Sequence, residues 1–169
     1  MPLSQLARVE ENIRGLARRV PALPANEALL IRAIVILGRD ITALLERALK
    51  PAGLADGEFR LLMALFSQGG QAAAGEVCGA LAQSPANLTR ISDTLVERGY
   101  ISRHPDTLDR RRMLLTLQPA GEELLQSLLP RIGSEIGAAF AAFSAADKQQ
   151  LLGHLKLLMG GIDALGANA

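Results

Sequence analysis

The chain of 169 residues has no tryptophan, one tyrosine, four phenylalanines and a single cysteine. With aromatics at 3%, a core has to be assembled from Leu, Ile, Val and Ala, and leucine and alanine enter helices at little cost. Cys78 has no partner for an internal disulfide and no basic residue close by in sequence to favour a thiolate, so it reads as a small apolar residue within a helix. The only histidines are His104 and His154. No glycine-rich phosphate loop, paired-carboxylate motif or metal-ligand spacing is present. A zinc site from Cys78, His104 and His154 would need three scattered residues to converge. The expectation is a protein that is not an enzyme and carries no cofactor and no metal. No apolar run reaches the roughly 18 residues of a membrane span. The first segment is broken by Arg8, Glu10, Glu11 and Arg14, unlike a signal peptide, so a cytoplasmic location is expected. The net charge is +1, and any surface attractive to a polyanion has to be local.

What the chain does have is helical periodicity. Leu6, Val9, Ile13, Leu16 and Val20 recur at helical spacing from Leu3 to Arg19, and Pro21 and Pro24 end that segment. A second helix is expected from Asn26, as N-cap, to about Lys50. Leu30, Ile34, Leu37, Ile41, Leu44 and Leu45 give it one apolar face. Pro119 opens another apolar-periodic segment through Leu124, Leu128, Ile132 and Ile136 to Phe143, and Ser144 with Asp147 resembles a capping box that starts a last helix. Long apolar helices thus lie at both ends, more than one small chain easily buries. A two-fold homodimer covers them, with an intrachain bundle as the other arrangement. The expected organisation is residues 1–50 as N-terminal helices for dimerisation and a pocket wall, 51–118 as a central lobe, and 119–169 as C-terminal dimerisation helices.

The central lobe reads differently. Asp56 can cap a helix to about Gln68, stopped by Gly69-Gly70, and a short helix follows from Ala74 to Leu81. After a turn, Ser84-Pro85 supplies an N-cap with proline at the first helical position, and the helix runs to Arg98 before Gly99. Tyr100–Arg103 and Met113–Leu117 read as two strands around a polar turn. Two helices joined tightly and followed by a charged hairpin predict a winged helix-turn-helix. The fold class is mainly α with a small β-hairpin wing and long terminal dimerisation helices.

In the Ser84 helix, Leu88, Ile91 and Leu95 share the core face, which leaves Asn87, Thr89, Arg90, Asp93 and Thr94 toward solvent. Small hydrogen-bonding residues near a helix N-terminus suit a major groove and its phosphates. The hairpin concentrates charge in Arg103, His104, Asp106, Asp109, Arg110, Arg111 and Arg112. Between Ser84 and Arg112 lie six arginines and four acids, whereas Met113–Ala169 holds three bases and five acids. Arginine at a wing tip suits a narrow minor groove; a solvated charge run is the bland alternative.

The run Asp109-Arg110-Arg111-Arg112-Met113-Leu114-Leu115-Thr116-Leu117, with Gly121, resembles the wing signature of the MarR family of bacterial regulators. Asn87-Leu88-Thr89-Arg90-Ile91, with Asp93, Leu95 and Glu97-Arg98-Gly99-Tyr100-Ile101, is similar to that family's recognition helix and its exit into the wing. The likeness runs from about Asn26 to Asp163 and is nearest to EmrR-type repressors of multidrug-efflux operons. It implies a homodimer that binds a double-stranded, pseudo-palindromic operator and is released by small aromatic or lipophilic effectors. It also implies that Asp109 shapes the wing and Arg111, with Arg110, reaches the minor groove. Gln118, where the family often has threonine, and Pro85-Ala86, where the EmrR type is more polar, depart from the pattern. The residues expected at DNA are Ser84, Asn87, Thr89, Arg90, Arg103, Asp109, Arg110 and Arg111. The residues expected at an effector pocket are Arg32, Ile34, Leu37, Arg39 and Ile41, in a crevice between the second helix and the start of the Pro119 helix. Regulation of an aromatic-catabolic operon, or a helical interaction protein without DNA binding, are the alternatives.

Overall fold

The computed structural model describes residues 2–107, 109 and 111–166, Pro2 by its backbone alone. It is mostly helical with a small antiparallel sheet. Two compact units divide at Leu128 and Leu129. The first contains α1 (Pro2–Arg19), α2 (Ala25–Leu49), a 3₁₀ turn (Lys50–Ala52), α3 (Asp56–Ser67), β1 (Gln71–Ala73), α4 (Ala74–Ala80), α5 (Pro85–Glu97), β2 (Ile101–Pro105) and β3 (Met113–Leu117). Helix α6 (Pro119–Ala139) starts in the first unit and ends in the second, which also contains α7 (Ala145–Gly166).

Two expected helix starts are corrected. Helix α2 begins at Ala25, with Pro24 in the N-cap position and no side-chain cap. Asn26 lies one residue inside it, because the Ala28 amide already closes the first turn on the Pro24 carbonyl at 2.9 Å. Asp56 is the first residue of α3 and not its cap. Ala55 holds the N-cap position, and Glu58 reaches back to accept its amide at 3.0 Å.

The core of the first unit is almost wholly aliphatic, as the lack of aromatics requires. Leu49, Leu61, Leu62, Leu65, Val77, Leu95, Ile101, Leu115 and Leu125 are fully buried, each stabilising the fold by roughly 1.5–3 kcal/mol relative to exposure. The sheet has the order β1-β3-β2, with Gln71 opposite Thr116 and Arg103 opposite Leu115. The expected hairpin is β2–β3; strand β1 is an addition. It forms because Gly69 and Gly70, at φ 78° and 91°, turn the chain back after α3. The Gly70 amide then meets the Leu65 carbonyl at 2.8 Å, and the Gly70 carbonyl receives the Leu117 amide at 2.7 Å.

In the second unit Phe140 and Phe143 pack edge to face at 5.6 Å. The Ser144–Asp147 box forms as read: the Asp147 carboxylate accepts the Ser144 amide at 2.9 Å and its hydroxyl at 2.6 Å, while the Asp147 amide donates to Ser144 Oγ at 3.1 Å. Those bonds hold the Asp147 carboxyl below the usual carboxylate range. Helix α7 is apolar around much of its circumference, with Leu152, Leu157, Met159, Ile162 and Leu165 exposed. Among the described residues no helix is long and apolar enough to cross a membrane.

Candidate nucleic-acid interface

The turn between α4 and α5 is built by backbone bonds. The Leu81 amide donates to Val77 at 2.9 Å and the Gln83 amide to Cys78 at 3.0 Å. Ala82, between them, has a φ of 49°. Cys78 is half-buried on α4, and its thiol donates to the Gln83 carbonyl at 2.8 Å. Ser84 caps α5 by accepting the Asn87 amide at 3.3 Å, with Pro85 at the first helical position. Leu88, Ile91 and Leu95 are buried, so the helix phase read from the sequence holds. Gly57 brings α3 against this face, since a Cβ there would lie 2.8 Å from Ile91 Cδ1.

The opposite face carries Ser84, Asn87, Thr89 and Arg90. Ser84, Thr89 and Arg90 are exposed and Asn87 is half-buried. A hydrogen-bond chain runs along it. Gln83 Oε1 accepts from Asn87 Nδ2, and Asn87 Oδ1 accepts from Arg90 Nη2 at 3.0 Å. Thr89 Oγ1 donates to the Pro85 carbonyl at 2.9 Å. Gln83 did not emerge from the sequence. It precedes the cap, where side-chain direction is set by the turn and not by helical phase.

Five arginines between Ser84 and Arg112 fall among the described residues, and they divide into two groups. Arg98 donates to the Gly53 and Ala52 carbonyls, both at 2.9 Å, approaches Glu58 at 3.5 Å and lies 4.8 Å above the Tyr100 ring. Arg112 pairs with Glu76 of α4 at 2.6 Å. Arg103 pairs with Asp93 of α5 at 2.9 Å and donates to Ser92 Oγ. These three tie the lobe together. Arg90 and Arg111 are exposed, and neither has a carboxylate partner among the ion pairs of the described residues. At the wing tip, Asp109 Oδ1 accepts the Arg111 amide at 3.0 Å, its carbonyl accepts the Arg112 amide at 2.8 Å, and the Asp106 amide closes on the Arg112 carbonyl at 2.9 Å. Arg110 lies outside the described residues.

Gln118 does not cap α6 with its side chain. Its Nε2 donates to Ser102 Oγ at 2.8 Å on β2, while its carbonyl accepts the Gly121 and Glu122 amides. On α2, Arg32, Ile34, Leu37, Arg39 and Ile41 are all exposed. Arg39 reaches Gln5 of α1 at 2.9 Å and Asp40 at 3.1 Å. A cavity of about 590 Å³ lies elsewhere, between α4, α5 and the sheet, with Cys78, Leu88, Met113 and Leu115 on its apolar side and Thr89, Ser92 and Arg103 on its polar side. Among the described residues no cluster of three histidine, cysteine or acidic side chains could hold a metal ion.

Residues 54–113 match the MarR family. Over 163 residues the chain is 29% identical to the transcriptional repressor MprA of Escherichia coli K12, covering 96% of this chain and 93% of that protein. The fold is similar to AbsC, a MarR family transcriptional regulator from Streptomyces coelicolor, with a TM-score of 0.77 at 22% identity over 84% of this chain and 97% of that one. It is also similar to a cysteine-to-serine mutant of MarR from E. coli complexed with operator DNA, with a TM-score of 0.71 at 23% identity over 81% and 99% of the two chains.

Proposed function

Because this chain carries a MarR-family winged-helix domain, we propose that it is a transcriptional repressor that binds operator DNA as a homodimer. The observation that carries this reading is the pairing of two exposed cationic elements on one lobe: the N-terminal half of α5, with Asn87, Thr89 and Arg90, and the β2–β3 wing, with Arg111 held beside Asp109. A helix of this kind suits a major groove and an arginine wing the adjoining minor groove. The relative MprA is itself a transcriptional repressor, which supports the sign of regulation. Ser84 acts through its cap and Asp109 through the wing turn, and Arg110 sits beside Arg111 in sequence.

The division of labour follows the expected segments: residues 51–118 meet DNA, while residues 1–50 and 119–169 join two copies. Leu3, Leu30 and Leu37 in the first unit and Leu157 and Leu165 in the second are exposed in the single chain, more apolar surface than a soluble monomer usually presents. A small aromatic or lipophilic effector releases the DNA. Ile34, Leu37 and Ile41, rimmed by Arg32 and Arg39, offer it an apolar wall with cationic edges once a second copy closes over them. The cavity behind α5 is a second location, already formed and mixed in polarity as small-molecule sites are.

A gel shift with the duplex upstream of the protein's own gene tests the reading, against an unrelated duplex as competitor. Retardation that survives competitor supports it; binding that an equal excess of unrelated DNA abolishes refutes it. Phenolic acids, salicylate-like compounds and uncouplers then test release, for which linkage predicts about 1–3 kcal/mol. Loss of release on substituting Ile34 or Leu37 assigns the α2 wall, and loss on filling the α5 cavity with Leu88→Phe assigns the other.

A further inference from the structure

We infer that Arg103 is a positioning residue, which with Asp93 fixes the wing to the recognition helix, and is not itself a DNA contact. The inference deepens the DNA-binding reading and rests on it for its affinity measurements. By charge and location Arg103 belongs with the wing arginines. Its side chain instead lies along α5, only 27% exposed. Nη2 meets Asp93 Oδ1 at 2.9 Å, donates to Ser92 Oγ, and approaches the Thr89 carbonyl at 3.5 Å. All three partners are on α5, spread over more than one helical turn, so the contact opposes both translation and rotation of β2 against the helix. Ser92 is 2% exposed and is itself anchored to Thr89 at 3.0 Å. This is a built socket and not a chance surface pair.

The location makes the strut consequential. Chain continuity between α5 and β2 runs only through Arg98, Gly99 and Tyr100, and Gly99 turns there at φ 71°. In the sheet, Arg103 stands opposite Leu115 on β3, so it holds the strand pair that carries the wing tip. The 590 Å³ cavity beside it leaves the wing without continuous packing against α5 on that side. On that side a charge-assisted contact adds to the buried packing of Leu95, Ile101 and Leu115 in setting the angle between the reading helix and the wing, and such contacts are geometrically specific. Asp93 places a negative charge on the face turned to DNA, where it repels phosphate; keeping Arg103 in place accounts for its presence.

The experiment compares Asp93→Asn, Arg103→Ala and the swap Asp93→Arg/Arg103→Asp. Binding is measured to the upstream duplex as a function of salt, with amide exchange of the free proteins alongside. A strut predicts that Asp93→Asn weakens binding by about tenfold although it removes a negative charge. It predicts that Arg103→Ala weakens binding with the salt slope unchanged, and that both variants raise exchange at Ser102 and His104 while the α3 amides stay protected. The swap regains part of the affinity. A DNA contact predicts the reverse: Asp93→Asn binds more tightly, and Arg103→Ala lowers the salt slope by about one unit. Either of those results overturns the inference, as does unaltered exchange in β2. If the wild-type protein binds no DNA, the DNA-binding reading fails by itself, and the exchange comparison alone decides whether the strut exists.

Discussion

At the scale of single residues the lobe separates arginines that hold structure from those free to act outward. Arg90 is exposed on α5, and among the described residues its guanidinium bonds a neutral amide, Asn87, at 3.0 Å, so its charge remains available. Arg90→Ala should cost operator affinity about 1–3 kcal/mol, or less if it meets phosphate alone, and leave the thermal midpoint nearly unchanged; a large loss of stability would make Arg90 structural. Arg111→Ala should behave similarly for affinity, through the wing. Unaltered binding in that variant would remove the wing from the interface. Gly121 makes the opposite case, a residue whose value is absence. A Cβ there would collide with the Tyr100 carbonyl oxygen and lie 2.9 Å from Leu117 Cδ1. Backbone cannot yield as a flexible side chain can, so Gly121→Ala should destabilise by about 1–3 kcal/mol in chemical denaturation.

At the scale of elements, local signals were readable and non-local ones were not. Ser84-Pro85 and the Ser144–Asp147 box carry their chemistry within three residues, and both form as read. Strand β1 could not be foreseen, because Gln71-Ala72-Ala73 has no strand propensity of its own and exists by pairing with β3, more than forty residues later. The Asn26 and Asp56 caps failed for a related reason: a good capping residue is only permission to start a helix, and each backbone closed its first turn a residue or more earlier. Within the site, helical phase identified the outward face of α5, while the partition of arginines was hidden. Arg103 joins Asp93, and Arg112 joins Glu76, across a turn or a sheet that no linear pattern encodes. The Ser144–Asp147 box also makes a pH prediction. Because folding depresses the Asp147 pKa, its contribution is full above the ordinary carboxylate value of about 3.9 and is lost as pH falls through the lower, folded value. Amide exchange at the first turn of α7 should rise in that range and not in Asp147→Asn, which lacks the titration.

At the scale of the whole molecule, an aliphatic, aromatic-poor sequence ends in helices that leave Leu3, Leu30, Leu37, Leu157 and Leu165 exposed in the single chain. Sedimentation should find a dimer at micromolar concentration, and a stable folded monomer would contradict the assembly. A two-fold dimer presents two copies of α5 and two wings, so its operator should repeat with the same symmetry. Hydroxyl-radical footprinting on the DNA upstream of the protein's own gene tests this most directly. A two-fold dimer predicts two equivalent protected half-sites, separated by about one or two helical turns of roughly 10.5 base pairs, with flanking minor-groove protection that disappears in Arg111→Ala. Uniform protection that shifts with DNA length, or none at concentrations that saturate the gel shift, would contradict it.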